Sequence, residues 1–276
     1  MKRILAIGLS GQVGEALWPR LSSFGEICAL SRQQQVDAPG LHWLSGSLQN
    51  MPALPTDIDT ILSLGPLDAF VEWFAQSGLR QLRVVALGSM GREDKRDASD
   101  PEEKRIARAL AHAETRLFEA GRQQAAAITL LRPTLIYGSR GNSGLAPMLA
   151  MARRWGFVCV PMGALGLRQP VHVDDVAGAL LACLDVPATY GQAYDLPGGE
   201  RMSFHEMIKR SLARQAPKAR IVILPGGLFR AGLGLLSSFG YQRVSAGFVE
   251  RSGRDQVADG GAARAAFGFR PRSFDP

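Results

Sequence analysis

Three glycines, Gly8, Gly11 and Gly14, sit in the stretch LAIGLSGQVGEAL, where an apolar run gives way to a helical pattern. A turn of that kind needs one residue that tolerates positive φ, one that lets a ligand approach the backbone, and one that lets helix and strand pack closely. The free N–H groups and positive dipole end of the following helix suit a pyrophosphate. Gly8, Ser10, Gly11, Gln12, Val13 and Gly14 are therefore the candidate cradle for a dinucleotide; without a ligand the same pattern is only a strand–helix turn. At the end of the second strand-like run an acidic residue would hold the ribose hydroxyls of NAD. Ser31 and Arg32 stand there instead, followed by three glutamines. A guanidinium pairs well with a 2′-phosphate, so NADP is the expected cofactor, with NAD as the other option. A solvated surface arginine is the bland alternative for Arg32.

Other reactive side chains are less well arranged. His172, Asp174 and Asp175 cluster at a strand-to-helix junction, where Asp174 or Asp175 is expected to cap the helix and His172 to be structural. His112 and Glu114 are two apart on a helical pattern and do not share a face. No metal-ligand spacing occurs, and Cys28, Cys159 and Cys183 are too few and too scattered for a disulfide framework or a zinc site. The net charge of +7 comes from 27 Arg against 5 Lys spread along the chain, so no nucleic-acid patch is expected.

The elements that would position these residues alternate. Strand-like runs lie at 3–8, 26–31, 41–46, 59–65, 82–88 and 127–133, with helical patterns at 66–78 and 100–121 between some of them. Gly25 reads as the stop of the first helix, and Asp100 followed by Pro101 as the start of the long one. Such alternation implies right-handed crossovers and an α/β, Rossmann-type doubly wound parallel sheet. With 46% apolar residues the chain can bury a large core. Beyond residue 140 the rhythm changes. The expected division is a dinucleotide-binding domain of 1–140 plus about 168–196, and a smaller mixed lobe of 141–167 and 197–276, with Ser203 capping a helix in it. The N-terminus becomes a strand too soon for a signal peptide, and the apolar stretch 226–240 carries Arg230 and is too short to span a bilayer. A soluble, cytoplasmic chain is expected; 226–240, with Arg230 and Arg243, could lie on a membrane surface or form a core helix of the small lobe.

Along nearly its whole length the chain resembles the extended and atypical short-chain dehydrogenases/reductases, the NAD-dependent epimerase/dehydratase family. The glycine loop carries the likeness, with "LSLGP" (62–66), "LLRPTLIYG" (130–138), "RQPVHVDDVAGALLACLD" (168–185) and "FGFRPRSF" (267–274). The "QPVHVDDVA" form is most similar to the branch holding the short-chain-type accessory subunit of respiratory complex I. The resemblance implies that Leu64 and Gly65 line the adenine side, that Pro133 lies near the nicotinamide, and that Arg168 meets a diphosphate of a substrate. It also implies an acid/base pair, Tyr with Lys four residues on, and that pair is absent: Ile106 and Leu110 stand in its place, and none of Tyr137, Tyr190, Tyr194 and Tyr241 has a lysine four residues later.

Two groups remain for proton chemistry. Ser89, just past the fifth strand, could polarise a carbonyl or be a turn residue. Tyr137 could be a phenolic acid or an aromatic with its hydroxyl satisfied locally. The expected function is that of an NADP(H)-binding oxidoreductase or epimerase acting on a small carbonyl or nucleotide-sugar-like substrate. The alternative is a noncatalytic protein holding NADP(H) as a structural, assembly or redox-sensing element. A small-molecule substrate or none, no stable membrane insertion, and an open question of a homodimer complete the reading; Ile106, Leu110 and Leu117 could serve such an interface or be buried within one chain.

Overall fold

The computed structural model describes residues 2–138, 145–229, 231–232 and 248–276. Seven strands form one sheet in the order β11-β6-β5-β4-β1-β2-β3, and every neighbouring pair is parallel. They are β1 (Lys2–Ile7), β2 (Gly25–Ser31), β3 (Leu41–Ser45), β4 (Thr60–Ser63), β5 (Arg83–Leu87), β6 (Ala127–Pro133) and β11 (Gln192–Leu196). Because β1 lies between β2 and β4, the winding reverses there, and ligands of such sheets lie at the carboxyl ends of the strands beside that reversal.

Period-2 alternation sends the strand side chains to opposite faces. Ile4 and Ala6 face a core shared with α1 (Gln12–Leu21), α6 (Val173–Ala182) and α9 (Gly261–Phe267). Leu5 and Ile7 face a second core under α2 (Leu67–Gln76) and α4 (Pro101–Gln123). On α4 the stripe Ala113, Leu117, Ala120 is buried, and Leu117 is wholly so; that side chain alone stabilises by about 2–3 kcal/mol. Leu117 is thus part of the chain's own core, whereas Ile106 and Leu110 are half-buried. A third core holds Leu149, Val158, Val160, Phe204, Ile208 and Leu212. It is built from α5 (Ala146–Trp155), α7 (Phe204–Gln215) and the parallel pair β8 (Phe157–Pro161) and β13 (Arg220–Leu224). Ala263 and Phe269, in the segment assigned above to the smaller lobe, pack instead into the sheet-side core.

The expected caps hold with two corrections. Asp100 accepts from the Glu102 amide at 2.9 Å ahead of Pro101, and Ser203 accepts from the Glu206 amide at 3.1 Å. The junction at 172–175 differs: His172 is the cap of α6, its Nδ1 accepting from the Asp174 amide at 3.2 Å, and neither aspartate caps. Asp175 is drawn instead to Arg272, at 2.9–3.0 Å. Gly25 is not a helix stop but the first residue of β2, pressed so closely on β1 that a Cβ would lie 2.1 Å from the Lys2 carbonyl oxygen.

Of the apolar stretch 226–240, residues 226–229 are helical, with Phe229 buried and Leu228 exposed. Arg230, residues 233–240, Tyr241 and Arg243 lie outside the described residues. Among the described residues no helix is long and apolar enough to cross a membrane.

Candidate functional site

The glycine loop leads from β1 to α1 at the carboxyl edge, beside the reversal of winding. Gly8 has φ +86°, a conformation that side chains resist, and a Cβ there would lie 3.0 Å from the Gly65 nitrogen and 3.1 Å from the Leu64 carbonyl carbon. Leu64 and Gly65 are therefore brought against Gly8, and the Leu64 amide donates to the Ile7 carbonyl at 2.8 Å. Gly14 serves packing: a Cβ would lie 2.0 Å from the Leu9 carbonyl oxygen. Gly11 caps α1, its amide donating to the Gly8 carbonyl at 3.0 Å, and a Cβ on it would meet nothing within 4 Å except that same oxygen, at 3.2 Å. The loop is thus closed below and open above, which is the form of a cradle for a pyrophosphate. Ser10 and Gly11 are exposed on it, Gln12 is half-buried and Val13 is buried.

Ser31 and Arg32 end β2, the strand next to β1. The Ser31 hydroxyl donates to the Gln33 carbonyl at 2.8 Å and accepts from the Gln33 amide at 3.1 Å, closing a local turn. Arg32 is exposed and, among the described residues, has no carboxylate within ion-pair distance.

Toward β5 and β6 the edge is wired differently from the expected acid/base site. On α4, Ile106 and Leu110 are half-buried, and the Leu110 Cδ1 lies 3.5 Å from where a Cβ on Gly91 would be. Glu114, 2% exposed, is held by Arg92 at 2.5 Å and by Arg132 at 2.7 Å, and Arg132 also donates to Asp195 at 3.3 Å. The sequence offered no spacing that joins these four residues; β6, α4, β11 and the segment after β5 bring them together. Three turns earlier on α4, buried Glu103 pairs with Arg251 of α8 (Phe248–Gly253). Asp94 escaped the sequence reading too; burial pushes its carboxyl up to about 6, against the opposing pull of Arg168 and Lys95.

The remaining expected site residues make hydrogen bonds within the chain. Ser89 accepts from the Gly91 amide at 3.0 Å, the turn-residue role, while the next residue, Met90, ties the loop to the Pro133 carbonyl at 3.2 Å. Tyr137 is 2% exposed; its hydroxyl donates to the Ser273 carbonyl and accepts from the Asp275 amide, both at 3.2 Å, and its ring packs edge-on to His172 and Phe274. Burial raises its phenol above the usual value. The expected phenolic acid is thus a tether for the C-terminal segment. Arg168 is 4% exposed, not a surface ion pair. It donates to the carbonyls of Leu167, Arg254 and Arg251 at 2.9, 2.8 and 2.6 Å, and burial pulls it down to about 10. Arg254 also reaches the Asp97 carbonyl at 2.7 Å, and Glu250 takes both the hydroxyl and the amide of Ser99. The segment 248–254 therefore lies across Arg168 and the start of α4.

Solved structures share this architecture over its full length. MoeE5 in complex with UDP-glucuronic acid and NAD superposes with a TM-score of 0.71, at 18% identity, covering 99% of this chain and 94% of that one. The UDP-glucuronic acid 4-epimerase of Bacillus cereus in complex with NAD gives 0.72 at 12%, covering 99% and 94%. The chain shares the fold of these two solved proteins. The terminal R domain of the myxalamid PKS-NRPS pathway gives 0.74 at 19%, covering 100% and 87%. A curated relative, the mitochondrial NADH dehydrogenase [ubiquinone] 1 alpha subcomplex subunit 9 of Arabidopsis thaliana, is 30% identical over 156 residues, 55% of this chain. The match spans about a third of that protein's length, 35%. No family model matches the chain.

Proposed function

We propose that the chain binds NADP(H) over the Gly8–Gly14 loop, with Arg32 taking the 2′-phosphate, and that it holds the dinucleotide rather than turning it over. Gly8, Gly11 and Gly14, with Leu64 and Gly65 alongside, are the residues that would hold it, and when bound it would supply a hydride donor or acceptor. The observation that carries the holding role is the state of the other expected groups. The Tyr137 hydroxyl and the Arg168 guanidinium are spent on carbonyls and amides of the chain itself, and by the resemblance apolar Ile106 and Leu110 take the place of the acid/base pair. The likeness to a respiratory-complex subunit is in keeping with such a role.

A second reading is favoured by Ser89. Its oxygen accepts a hydrogen bond, but its own proton has no acceptor among the described residues. That hydroxyl could polarise a carbonyl in an oxidoreductase or epimerase acting on a small carbonyl or nucleotide-sugar-like compound; UDP-glucuronic acid is named for two similar folds. Fluorescence titration of cofactor-stripped protein separates these readings. Tight NADPH binding, weaker NADH binding, and loss of that preference in Arg32→Gln by at least about tenfold support the cofactor assignment. Equal affinities untouched by R32Q refute it. Oxidation of NADPH with any member of a carbonyl and nucleotide-sugar panel, abolished in Ser89→Ala, would replace the holding role with the second reading.

A further inference from the structure

A second cavity, of about 550 Å³, lies between the loop after β11 (Pro197–Arg201) and the segment 258–271. Its volume is within the range of roughly 300–1,000 Å³ typical of small-molecule sites. It borders the edge strand β11, four places from β1 in the sheet. Three arginines line it, Arg201, Arg264 and Arg270, and only one acidic residue, Asp259. Arg201 donates to the Ala258 carbonyl at 3.4 Å; among the described residues none of the three has a carboxylate within ion-pair distance. Asp259 is already engaged, its Oδ1 accepting from the Gly261 amide at 2.9 Å. The cavity therefore carries a surplus of two positive charges.

The walls are tied together within the chain. Gln169 spans them: its side-chain amide donates to the Gly198 carbonyl at 2.9 Å and its Oε1 accepts from the Ala258 amide at 3.2 Å. The Gly199 amide donates to the Arg272 carbonyl at 3.1 Å. Phe269, buried at 6% exposure, adds an apolar wall. Three arginines around one cavity place like charges on the same surface, which an anion would neutralise. A guanidinium fork matches phosphoryl oxygens in both geometry and charge.

We infer that this cavity binds a phosphoryl-bearing small molecule through Arg201, Arg264 and Arg270, independently of the dinucleotide cleft. The test is calorimetric titration of the full chain with pyrophosphate at low ionic strength, comparing the parent with R264Q/R270Q. Both arginines are exposed, so the pair of substitutions leaves the core intact. The control R108Q/R116Q removes the same charge from the exposed face of α4, and R32Q reports on the glycine loop. The expected result is binding that weakens at least about tenfold in R264Q/R270Q and holds in both other variants. Three results overturn the inference: no binding at millimolar pyrophosphate, equal weakening in R108Q/R116Q, or weakening in R32Q alone.

Discussion

The glycine loop makes two different demands, and single methyl groups can separate them. At Gly14 an added Cβ would lie 2.0 Å from the Leu9 carbonyl oxygen, where ordinary contact begins at 3.4 Å, an overlap of about 1.4 Å. Both partners are backbone, so relief requires the first turn of α1 to move off β1, and the Val13 and Leu17 contacts move with it. Overpacking of that kind costs about 3 kcal/mol, the upper end of its usual range, and lowers Tm by roughly 6–12 °C in a chain of this size. At Gly11 the same methyl would be 3.2 Å from the Gly8 carbonyl oxygen, a squeeze of about two tenths of an ångström costing below about 1 kcal/mol. The Gly11 backbone, at φ −92° and ψ 174°, is open to alanine. That methyl would, however, stand on the open side of the loop, where a pyrophosphate must approach the amides. Gly11→Ala is therefore expected to melt within about 2 °C of the parent while binding NADPH at least about tenfold more weakly. Gly14→Ala loses stability first. Thermal denaturation by circular dichroism and a fluorescence titration measure the two effects on the same samples. G11A binding NADPH as well as the parent would refute a dinucleotide over this loop, and G14A melting with the parent would refute the packing argument.

Three further outcomes follow from buried polar groups. Arg83, 9% exposed, donates to the carbonyls of Leu184, Val84, Ala127 and Cys183 and to the hydroxyls of Thr129 and Thr189. Arg83→Met strips those acceptors and is expected to cost about 3 kcal/mol in urea denaturation; a loss under about 1 kcal/mol would mean water replaces the guanidinium. Burial raises the Asp94 carboxyl to about 6 from 3.8, so the folded chain binds this proton more tightly than the unfolded one. Stability from this group therefore falls as pH rises from about 4 to 6, and Asp94→Asn should be more stable than the parent by about 2 kcal/mol at neutral pH and indistinguishable at pH near 4; a gap that widens on acidification contradicts this. Tyr137→Phe removes the hydroxyl held by Ser273 and Asp275, lowering stability by about 1 kcal/mol and speeding proteolysis of the C-terminal segment while NADPH binding holds. Loss of NADPH binding in Y137F would instead tie the tether to the cleft.

Local sequence carried much of the fold because the signals that form a Rossmann sheet are local. Apolar runs became β1, β4, β5 and β6, and Asp100–Pro101 and Ser203 opened the helices they were expected to open. The pair β8 and β13 was not legible: "FVCVP" and "RIVIL" are short, and their partners lie some sixty residues apart, so neither run shows its pairing alone. At 172–175 the histidine took the cap because Asp175 had a stronger partner in Arg272, nearly a hundred residues on. For the glycine loop, residue type and spacing were sufficient by themselves, since only glycine meets the φ of Gly8 and the contact at Gly14.

What each side chain does beyond that loop was decided by tertiary structure. Serine, tyrosine and arginine are chemically able to donate, accept or polarise wherever they stand, and the sequence alone leaves Ser89, Tyr137 and Arg168 open to catalysis. Packing closed two of the three. It laid residues 273–275 over Tyr137 and 251–254 over Arg168, and a buried donor takes the nearest acceptor because leaving one unmade costs a few kcal/mol. The same packing set arginines remote in sequence around a second cavity, since charges converge only after the chain has folded.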